Sequence, residues 1–317
     1  MQPRALSVVV PCFNESESLH ETYRRLTAAC VATGWPYELL LVDDGSTDAT
    51  WPLMKDLAGT DPHVRSIKLS RNHGHQLALS AGLTQATGDR ILIIDADLQD
   101  PPELMSEMMK LMDDGADVVY GQRATRDGET WFKVRTASAF YALVNRLSEV
   151  KIPRETGDFR MISRRVLNVL LEMPERHRFI RGMIAWIGFK QVPLRYERRA
   201  RFAGQTKYPL KKMMRFAADA VTGFSIKPLQ FASVVGLAFA GLGLILVGFS
   251  VVSWLFFRAV PGWASTLAAV SVIGSVQLFM LGIIGEYLGR LYEQSKGRPL
   301  FTIDVIVGSG PESRPHP

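Results

Sequence analysis

The chain has 317 residues, of which 47% are apolar and 21% charged, and its formal net charge is +6. This length and composition fit one globular domain of ordinary size plus an accessory part, with enough apolar residues to bury a core. The two cysteines, Cys12 and Cys30, exclude a disulfide framework and a cysteine-rich metal site, and they favour a reducing compartment.

The amino terminus is not expected to be a secretory signal peptide. The apolar run Val8–Val10 is too short for the core of such a signal, and Glu15 and Glu17 follow it at once. The run instead predicts a buried strand that ends near Pro11.

The first 120 residues alternate short apolar runs with segments of helical periodicity. Strands are predicted at residues 6–10, 38–42, 64–69, 90–94 and 117–120. Helices are predicted to begin at Asn14 or Ser16, at Ser46 or Thr47, at Gln76 and at Glu103; Gly88 is predicted to end the third. This alternation predicts an α/β fold with a mostly parallel sheet covered on both faces. Ligands of such sheets bind beyond the carboxyl ends of the strands.

Two carboxylates follow the fourth predicted strand. Asp95 and Asp97 are two residues apart, so in an extended segment they point to the same side. Like charges on one face repel unless a cation lies between them, and Mg²⁺ or Mn²⁺ binds carboxylate oxygens while keeping positions open for phosphate. The stretch therefore indicates a metal-diphosphate site, and the structural alternative is an acidic turn that ends the strand.

The middle of the chain is predicted to be helical at 130–150 and again near 164–171. A basic cluster follows, and it consists of Arg195, Arg198, Arg199, Arg201, Lys207, Lys211, Lys212, Arg215 and Lys227. Such a cluster suits nucleic acid, anionic lipid or a phosphorylated ligand. Residues 208–227 combine an apolar helical face with charged faces, which predicts an amphipathic helix at a membrane surface; a core helix with a solvated face is the alternative.

The carboxyl-terminal third contains two long stretches without charge, at residues 229–257 and 259–285. A membrane-spanning helix needs about 20 apolar residues, so residues 228–290 predict a two-helix transmembrane hairpin rather than two buried core helices. Basic residues precede the first span, and Arg290, Lys296 and Arg298 follow the second. The positive-inside rule therefore predicts that both termini, including a tail at residues 291–317, are cytoplasmic.

Four ordered motifs give the chain a family resemblance, and they are the segments 10–15, 42–48, 95–103 and 156–160. Over about residues 5–215 the chain resembles the family 2 glycosyltransferases. More narrowly, it is similar to the polyprenyl-phosphate hexose transferases, the group of dolichyl-phosphate mannose synthase and bacterial bactoprenol glucosyltransferase. The two predicted spans fit the membrane-bound bacterial members.

This resemblance implies a nucleotide-sugar-binding domain of the GT-A type over residues 1–207. It implies inverting transfer of one hexose from a nucleotide sugar donor to polyprenyl phosphate at the cytoplasmic face of the inner (plasma) membrane. UDP-glucose and undecaprenyl phosphate are the expected substrates, with GDP-mannose or another UDP-sugar left open. It also implies Mg²⁺ or Mn²⁺ as cofactor and a homo-oligomer in the membrane, with no nucleic-acid partner.

The resemblance also implies roles for individual residues. The nucleotide sugar would be held by Pro11, Asn14, Glu15, Asp43, Asp44, Asp95 and Asp97. The spacing permits a metal held by Asp95 with Asp97 or by Asp97 with Gln99, and the family pattern favours the second pair. The acceptor phosphate would be bound among Arg123, Arg126, Arg135, Arg199, Arg201 and Lys207. The catalytic residues would be Asp97, Asp158 and Arg201.

Asp158 resembles the family's proposed base, but a phosphate monoester has a second pKa of about 6 and so arrives largely deprotonated. We therefore expect Asp158 to orient the donor sugar or the acceptor. His73 and His75 are predicted to shape the sugar pocket rather than to bind the metal, and Asp48 is predicted to be a turn or capping residue.

Three other functions were weighed against this one. A processive polysaccharide synthase shares the donor site, but the comparable segment 178–182 lacks a Gln-x-x-Arg-Trp motif. A non-catalytic membrane scaffold would be expected to lose the site carboxylates, which are all present. A nucleic-acid binder is disfavoured because the basic cluster lies beside a predicted membrane span.

Overall fold

The computed structural model of the protein describes residues 5–123, 156–197, 227–256 and 262–308. These residues divide into two compact units. The first contains residues 5–123, 156–197 and 298–308, and the second contains residues 227–256 and 262–297.

The first unit contains eight strands and six α-helices among the described residues. The strands are β1 (Leu6–Cys12), β2 (Tyr37–Asp43), β3 (Val64–Leu69), β4 (Arg90–Ile93), β5 (Val118–Arg123), β6 (Thr156–Ser163), β7 (Gln191–Tyr196) and β8 (Ile303–Val307). The helices are α1 (Leu19–Thr33), α2 (Thr50–Thr60), α3 (His75–Gln85), α4 (Met105–Asp113), α5 (Arg164–Glu172) and α6 (Ile180–Ile187). A single 3₁₀ turn, Pro102–Leu104, precedes α4.

All eight strands form one sheet in the order β7-β5-β6-β4-β1-β2-β3-β8. Strand β1 is parallel to β2 and β4, β2 is parallel to β3, and β5 is parallel to β7. Strand β6 is antiparallel to both β4 and β5, and β8 is antiparallel to β3. The predicted α/β fold with a mostly parallel sheet is therefore confirmed, and the antiparallel β6 places its amino end beside the carboxyl end of β4.

The core is built from strand residues that are buried on both faces of the sheet, as continuous apolar strands require. Val8, Val9 and Val10 are all fully buried. Helix α3 packs so closely on this strand that a Cβ at Gly82 would lie 2.4 Å from Val9 Cγ1. This packing fixes α3, whose first residues enter the site described below.

Most helix ends differ from the predicted positions by a few residues. Helix α1 begins at Leu19 rather than at Asn14 or Ser16, because residues 13–18 form a loop in which Asn14 has a φ of 55°. Helix α2 begins at Thr50, and the amide of Thr50 donates a hydrogen bond to Asp48. The predicted turn or capping role of Asp48 is confirmed.

Helix α3 ends at Gln85, so Gly88 is not its cap. Gly88 instead lies where the chain enters β4, and a Cβ there would be 2.7 Å from Ala5 O. The predicted helix at 130–150 and nearly all of the predicted interfacial helix at 208–227 lie outside the described residues.

The second unit contains two long helices in contact, α7 (Lys227–Phe256) and α8 (Trp263–Ser295). The segment Val272–Ser295 of α8 has 24 residues and a mean hydropathy of 1.5, so it is long and apolar enough to cross a membrane. In α7 the apolar stretch Leu229–Ile245 is shorter. One possible span is thus found among the described residues, and a hairpin of two spans stays a prediction.

Strand β8 was not predicted from the sequence. It follows α8 in the chain and pairs along the outer edge of β3. Residues 301–308 therefore form part of the first unit.

Candidate active site

The loop after β1 joins the loop after β2 at the carboxyl edge of the sheet. The amide of Asn14 donates to Ser46 Oγ at 2.9 Å, and Asn14 Oδ1 accepts from the Thr47 amide at 2.8 Å. The Glu15 amide donates to Thr50 Oγ1 at 2.9 Å. Asn and Asp tolerate the left-handed conformation that Asn14 adopts better than other non-glycine residues do, so the residue type suits this tight junction.

The two carboxylates at the end of β2, Asp43 and Asp44, are both buried. Asp43 Oδ1 accepts from the Ser46 amide at 3.1 Å, whereas its Oδ2 has no hydrogen-bond partner among the described residues. Asp44 accepts from the amides of His73 and Gly74 at 2.7 and 2.9 Å. Burial raises the pKa of Asp44, and these two hydrogen bonds act against that rise. Asp44 therefore holds the loop between β3 and α3 at the site.

The chain turns sharply after β4 and carries three polar groups at the turn. Asp97 is buried, and its Oδ1 accepts from the Gln99 amide at 3.1 Å. Leu98, between them, has a φ of 58°, which is rare for a residue without a polar side chain. From the adjoining helix α1, Thr22 Oγ1 donates to Ala96 O at 2.9 Å. The turn that presents Asp95 and Asp97 is thus held by the hydrogen bond from the Gln99 amide to Asp97 and by a contact with α1.

Strand β6 places Asp158 opposite this turn. Ile93 of β4 is the partner of Arg160 in the antiparallel register. Asp95 lies two residues after Ile93, beyond the end of β4, and Asp158 lies two residues before Arg160 in β6. The topology therefore brings together two carboxylates that are 63 positions apart in the sequence.

Asp158 is held by three side chains from two helices. Its Oδ2 lies 3.2 Å from His75 Nε2 and accepts from Gln76 Nε2 at 3.0 Å, and its Oδ1 accepts from Arg181 Nη2 at 3.2 Å. Burial would raise the pKa of Asp158, but the charge of Arg181 and the hydrogen bond from His75 hold that pKa well below its usual range. The carboxylate is therefore ionised, and hydrogen bonds engage both of its oxygens.

His75 links this carboxylate to the turn after β4, because its Nε2 also lies 3.5 Å from Asp95 Oδ1. Burial alone would lower the pKa of His75, but the Asp158 hydrogen bond and the Asp95 charge raise it to about 9. Burial raises the pKa of Asp95 to about 6. The charge of His75 acts against this rise, and the charges of Asp158 and Asp97 add to it. The site is thus a dense cluster of carboxylates, with His75 and Arg181 as counter-charges.

A second cluster lies beside the first, at the start of β6. The hydroxyl of Tyr196 donates to Asp100 Oδ1, and Arg123 Nη2 lies 4.0 Å from the same oxygen. A Cβ at Gly157 would lie 2.9 Å from Arg123 Nη2, so the absence of a side chain at this position makes room for the guanidinium. Arg123, predicted to bind the acceptor phosphate, therefore lies beside the motif that carries Asp158.

The donor atoms at the turn fit a hard divalent cation. Asp95 Oδ1 is buried and has no hydrogen-bond partner among the described residues. Within the described ranges no three His, Cys, Asp or Glu side chains converge into a complete metal cluster. Mg²⁺ in phosphate-transfer sites uses one or two carboxylates and completes its shell with substrate phosphates and water. Asp95 with Asp97, or Asp97 with the amide oxygen of Gln99, matches that pattern.

The structure brings together the predicted residues of the amino-terminal half. Asn14, Asp43, Asp44, Asp97 and Asp158 all lie at the carboxyl edge of β1, β2 and β4 or at the facing end of β6. Pro11 is in β1 and buried. Five predicted residues, Arg126, Arg135, Arg199, Arg201 and Lys207, lie outside the described residues.

Sequence reasoning missed two of the side chains around Asp158. Gln76 was identified only as a helix start, and Arg181 only as part of the segment 178–182. Both are polar residues at the first turn of a helix that otherwise buries apolar side chains. That pattern is also common for capping and solvated residues, so it does not by itself identify a site.

The comparisons with known proteins cover both parts of the chain. Residues 7–171 match the family described as Glycosyl transferase family 2, and residues 227–291 match the family described as GtrB C-terminal hairpin. The uncharacterized glycosyltransferase YkcC of Bacillus subtilis is 43% identical over 303 residues, covering 95% of this chain and 94% of its own.

Two further relatives have more specific names. The prophage bactoprenol glucosyl transferase homolog of Escherichia coli is 37% identical, covering 95% of this chain and 99% of its own. The bactoprenol glucosyl transferase of Shigella phage SfV is 36% identical, with coverages of 94% and 97%. Among solved structures, glucosyl-3-phosphoglycerate synthase of Mycobacterium tuberculosis aligns over 69% of this chain and 76% of its own, with a TM-score of 0.48 and 19% identity. This last similarity is too low to support a functional conclusion.

The match at residues 7–171 spans β1 to α5 and so includes the loops that carry Asn14, Asp44, Asp97 and Asp158. The relatives align along nearly the whole chain, so the similarity extends beyond residues 7–171. On this evidence the chain is a glycosyltransferase and belongs to glycosyl transferase family 2, with a carboxyl-terminal hairpin of the GtrB type.

Proposed function

We propose that this glycosyltransferase moves a single hexose from a nucleoside-diphosphate sugar to polyprenyl phosphate. The observation that carries the proposal is the similarity of 36–37% over nearly the whole chain, hairpin included, to proteins named bactoprenol glucosyl transferase. Bactoprenol is a polyprenyl lipid, so an acceptor that lies in a membrane also accounts for the apolar helices of the second unit. Glucose is the sugar that these names favour, and we propose UDP-glucose as its donor.

The donor would bind at the carboxyl edge of the sheet. In parallel α/β sheets this edge is where ligands enter, and here it is formed by the loops after β1, β2 and β4. Pro11, Asn14, Glu15 and Asp43 would hold the nucleoside, and the buried Asp43 Oδ2 still has a free acceptor position among the described residues. Asp44 would contribute mainly by holding the neighbouring loop, because its oxygens accept from two backbone amides.

Asp97 and Gln99, with Asp95 beside them, would hold Mg²⁺ or Mn²⁺. When bound, such a cation supplies Lewis-acid neutralisation of the charge that develops on the leaving diphosphate. The raised pKa of Asp95, about 6, reflects burial among carboxylates and is the environment in which a cation is favoured.

Asp158 would orient substrate rather than accept a proton. Its pKa is held well below the usual range, and a carboxylate of low pKa is a weak base. The acceptor phosphate is mostly deprotonated at neutral pH, because its second pKa is about 6. Hydrogen bonds with Arg181 and His75 on its two oxygens hold the Asp158 carboxylate in a fixed orientation.

The acceptor phosphate would be bound by arginine, which grips phosphate with two parallel hydrogen bonds. Arg123 is the candidate within the described residues, and Arg126, Arg135, Arg199, Arg201 and Lys207 are proposed with it. We further propose that both apolar helices span the inner membrane as a hairpin, with the catalytic unit and both termini on the cytoplasmic side, and that the protein is a homo-oligomer. The positive-inside distribution of basic residues supports this orientation.

Acceptor specificity provides the test of this function. Purified protein in detergent, supplied with labelled UDP-glucose and Mg²⁺, is offered undecaprenyl phosphate, the corresponding undecaprenol and 3-phosphoglycerate. We expect labelled lipid only from undecaprenyl phosphate, with GDP-mannose and other UDP-sugars serving as comparison donors. Equal labelling of undecaprenol, or transfer to 3-phosphoglycerate alone, would contradict a lipid-phosphate acceptor.

A further inference from the structure

The loop between β3 and α3, residues 70–74, is held from three sides. From one side, strand β8 approaches, and the Ser70 amide donates to Thr302 O at 2.9 Å. From another, Gly45 packs so closely that a Cβ there would lie 2.6 Å from Asn72 N. From the third, Asp44 accepts from the amides of His73 and Gly74. The loop backbone is therefore fixed along its whole length.

The end of this loop determines where the first residues of α3 lie. Gly74, with a φ of 94°, makes the turn into the helix, and His75 and Gln76 follow directly. Both of these side chains contact Asp158, at 3.2 and 3.0 Å. The loop leads directly into α3, so a shift at the start of the loop would displace His75 and Gln76 and change the hydrogen bonds that they make to Asp158.

Strand β8 lies at the edge of the sheet, so β3 is its only strand neighbour among the described residues. It pairs with β3 from Ser66 to Leu69, with an irregularity of register between Lys68 and Leu69. On the outer face Lys68 Nζ lies 3.5 Å from Asp304 Oδ2, and both side chains are partly exposed. At the end of the strand Gly308 has a φ of 112°, and a Cβ there would be 2.3 Å from Val64 O. Any other residue at this position would push β8 away from β3.

We propose that β8 is a positioning strand for the active site. By docking on β3 it positions Thr302, the residue before the strand, whose carbonyl oxygen accepts the Ser70 hydrogen bond, and so it holds the 70–74 loop, and thereby His75 and Gln76, in register with Asp158. The inference deepens the proposed function and rests on it, since it assigns a catalytic consequence to the geometry of Asp158. It makes residues that follow the apolar hairpin in sequence necessary for fast sugar transfer.

The test compares two substitutions of glycine in the full-length protein. Gly308→Ala places a methyl group against Val64 O and weakens β8 docking. Gly34→Ala is the matched control, because Gly34 also has a positive φ, of 70°, but no atom lies within 4 Å of its Cβ position. Backbone amide exchange of residues 70–74, measured without substrate, reports loop order. Turnover and KM are then measured for both variants.

We expect faster amide exchange in residues 70–74 for Gly308→Ala but not for Gly34→Ala. We expect turnover to fall by roughly tenfold to a hundredfold, as misplacement of a catalytic contact by about 1 Å produces, with the donor KM nearly unchanged. Loosened exchange at 70–74 with turnover equal to that of Gly34→Ala would overturn the proposal. Absence of transfer by the unmodified protein would instead be a failure of the proposed function.

A reversible cross-link separates docking from general loss of folding. Lys68 and Val305 are partners in the ladder and both are exposed or partly exposed. Antiparallel partners have Cα atoms about 4.5 to 5.5 Å apart, within the disulfide range. The native cysteines are buried. Gly308→Ala combined with Lys68→Cys and Val305→Cys should recover turnover when oxidised and lose it again on reduction of the same sample. Turnover that stays low in the oxidised protein would overturn the proposal.

Discussion

Replacing Asp158 by Asn tests the role of this residue most sharply. The change keeps the size of the side chain but removes the charge between His75 and Arg181. It also substitutes an amide NH₂ for one acceptor oxygen, and this group then faces donors on either side. Arg181 is left without the carboxylate that lies 3.2 Å from its guanidinium.

The expected loss in the free energy of unfolding follows from the burial of Asp158 and Arg181. At an effective dielectric constant of about 20, unit charges separated by the 3.2 Å of the Arg181–Asp158 pair attract by about 5 kcal/mol, before desolvation is subtracted. Removing one member of a buried ion pair typically costs about 3 to 5 kcal/mol, because the other charge stays buried. The side chains of Asp158 and Arg181 are 10% and 18% exposed. We therefore expect a loss of about 3 kcal/mol in the free energy of unfolding.

The assay is the pH dependence of turnover for the unmodified protein and Asp158→Asn. We expect turnover to fall by about 100-fold or more through lost positioning. Above about pH 6.5 the rate of the variant should not rise toward that of the unmodified protein, because the lipid phosphate is already ionised above its pKa of about 6. A variant whose rate rises about tenfold per pH unit toward the unmodified rate would refute the reasoning and make Asp158 a general base.

Asp117→Asn is the control for removal of a buried carboxylate. Asp117 is 7% exposed and pairs with Arg165 and Ser163, outside the candidate site. Arg165 is 62% exposed, so its charge stays hydrated when the partner is lost. Turnover of Asp117→Asn should therefore equal that of the unmodified protein, with a smaller loss of stability than in Asp158→Asn.

Three further changes test other parts of the account. Gly45→Ala should lower the free energy of unfolding by about 2 kcal/mol or more and reduce transfer, because it combines a positive φ with a Cβ 2.6 Å from Asn72 N in the loop after β3. In chemical denaturation, Gly34→Ala should lose less free energy of unfolding, because no atom lies close to its Cβ position. Despite opposing burial, hydrogen bonds from Thr50 and Ser16 lower the pKa of Asp48 to about 2, so its stabilising effect is present above about pH 4 and is lost as the pH falls toward 2. Acid unfolding curves of Asp48→Asn should lack that pH dependence, and the free energy of unfolding should differ from that of the unmodified protein by at most about 1 kcal/mol because the Asp48 side chain is exposed. Identical acid unfolding curves for the two proteins would contradict this role of Asp48. A chelator should abolish transfer reversibly on readdition of Mg²⁺ or Mn²⁺, and full activity in chelator would exclude a metal.

The amino-terminal half of the fold could be predicted because its signals are local. Four of the first five strands contain at least three consecutive apolar residues, so their positions can be read within a window of a few residues. The helix starts were less accurate, because Asn14 and Ser46 satisfy the pattern of a helix cap while bonding to each other's loops instead. Both residue types serve caps and turns equally well.

The contacts around Asp158 depend on the topology of the sheet. Its partners His75 and Gln76 are more than 80 positions earlier in the sequence, and they meet it only because β6 runs antiparallel to β4. Strand β8 was missed for a related reason. Residues 303–307 are apolar at most positions, but their partner β3 lies more than 230 positions away. Propensity within a short window contains no information about such pairing.

The mass of the lipid product is the measurement that tests the central claim most directly. The unmodified protein and Asp97→Asn are each incubated with undecaprenyl phosphate, UDP-glucose and Mg²⁺. The mass of the extracted lipid is then measured by mass spectrometry. We predict one species heavier than the acceptor by a single hexose, formed by the unmodified protein and almost absent with Asp97→Asn. A ladder of hexose additions would contradict single transfer, and an unchanged lipid with every nucleotide sugar supplied would contradict the proposed function as a whole.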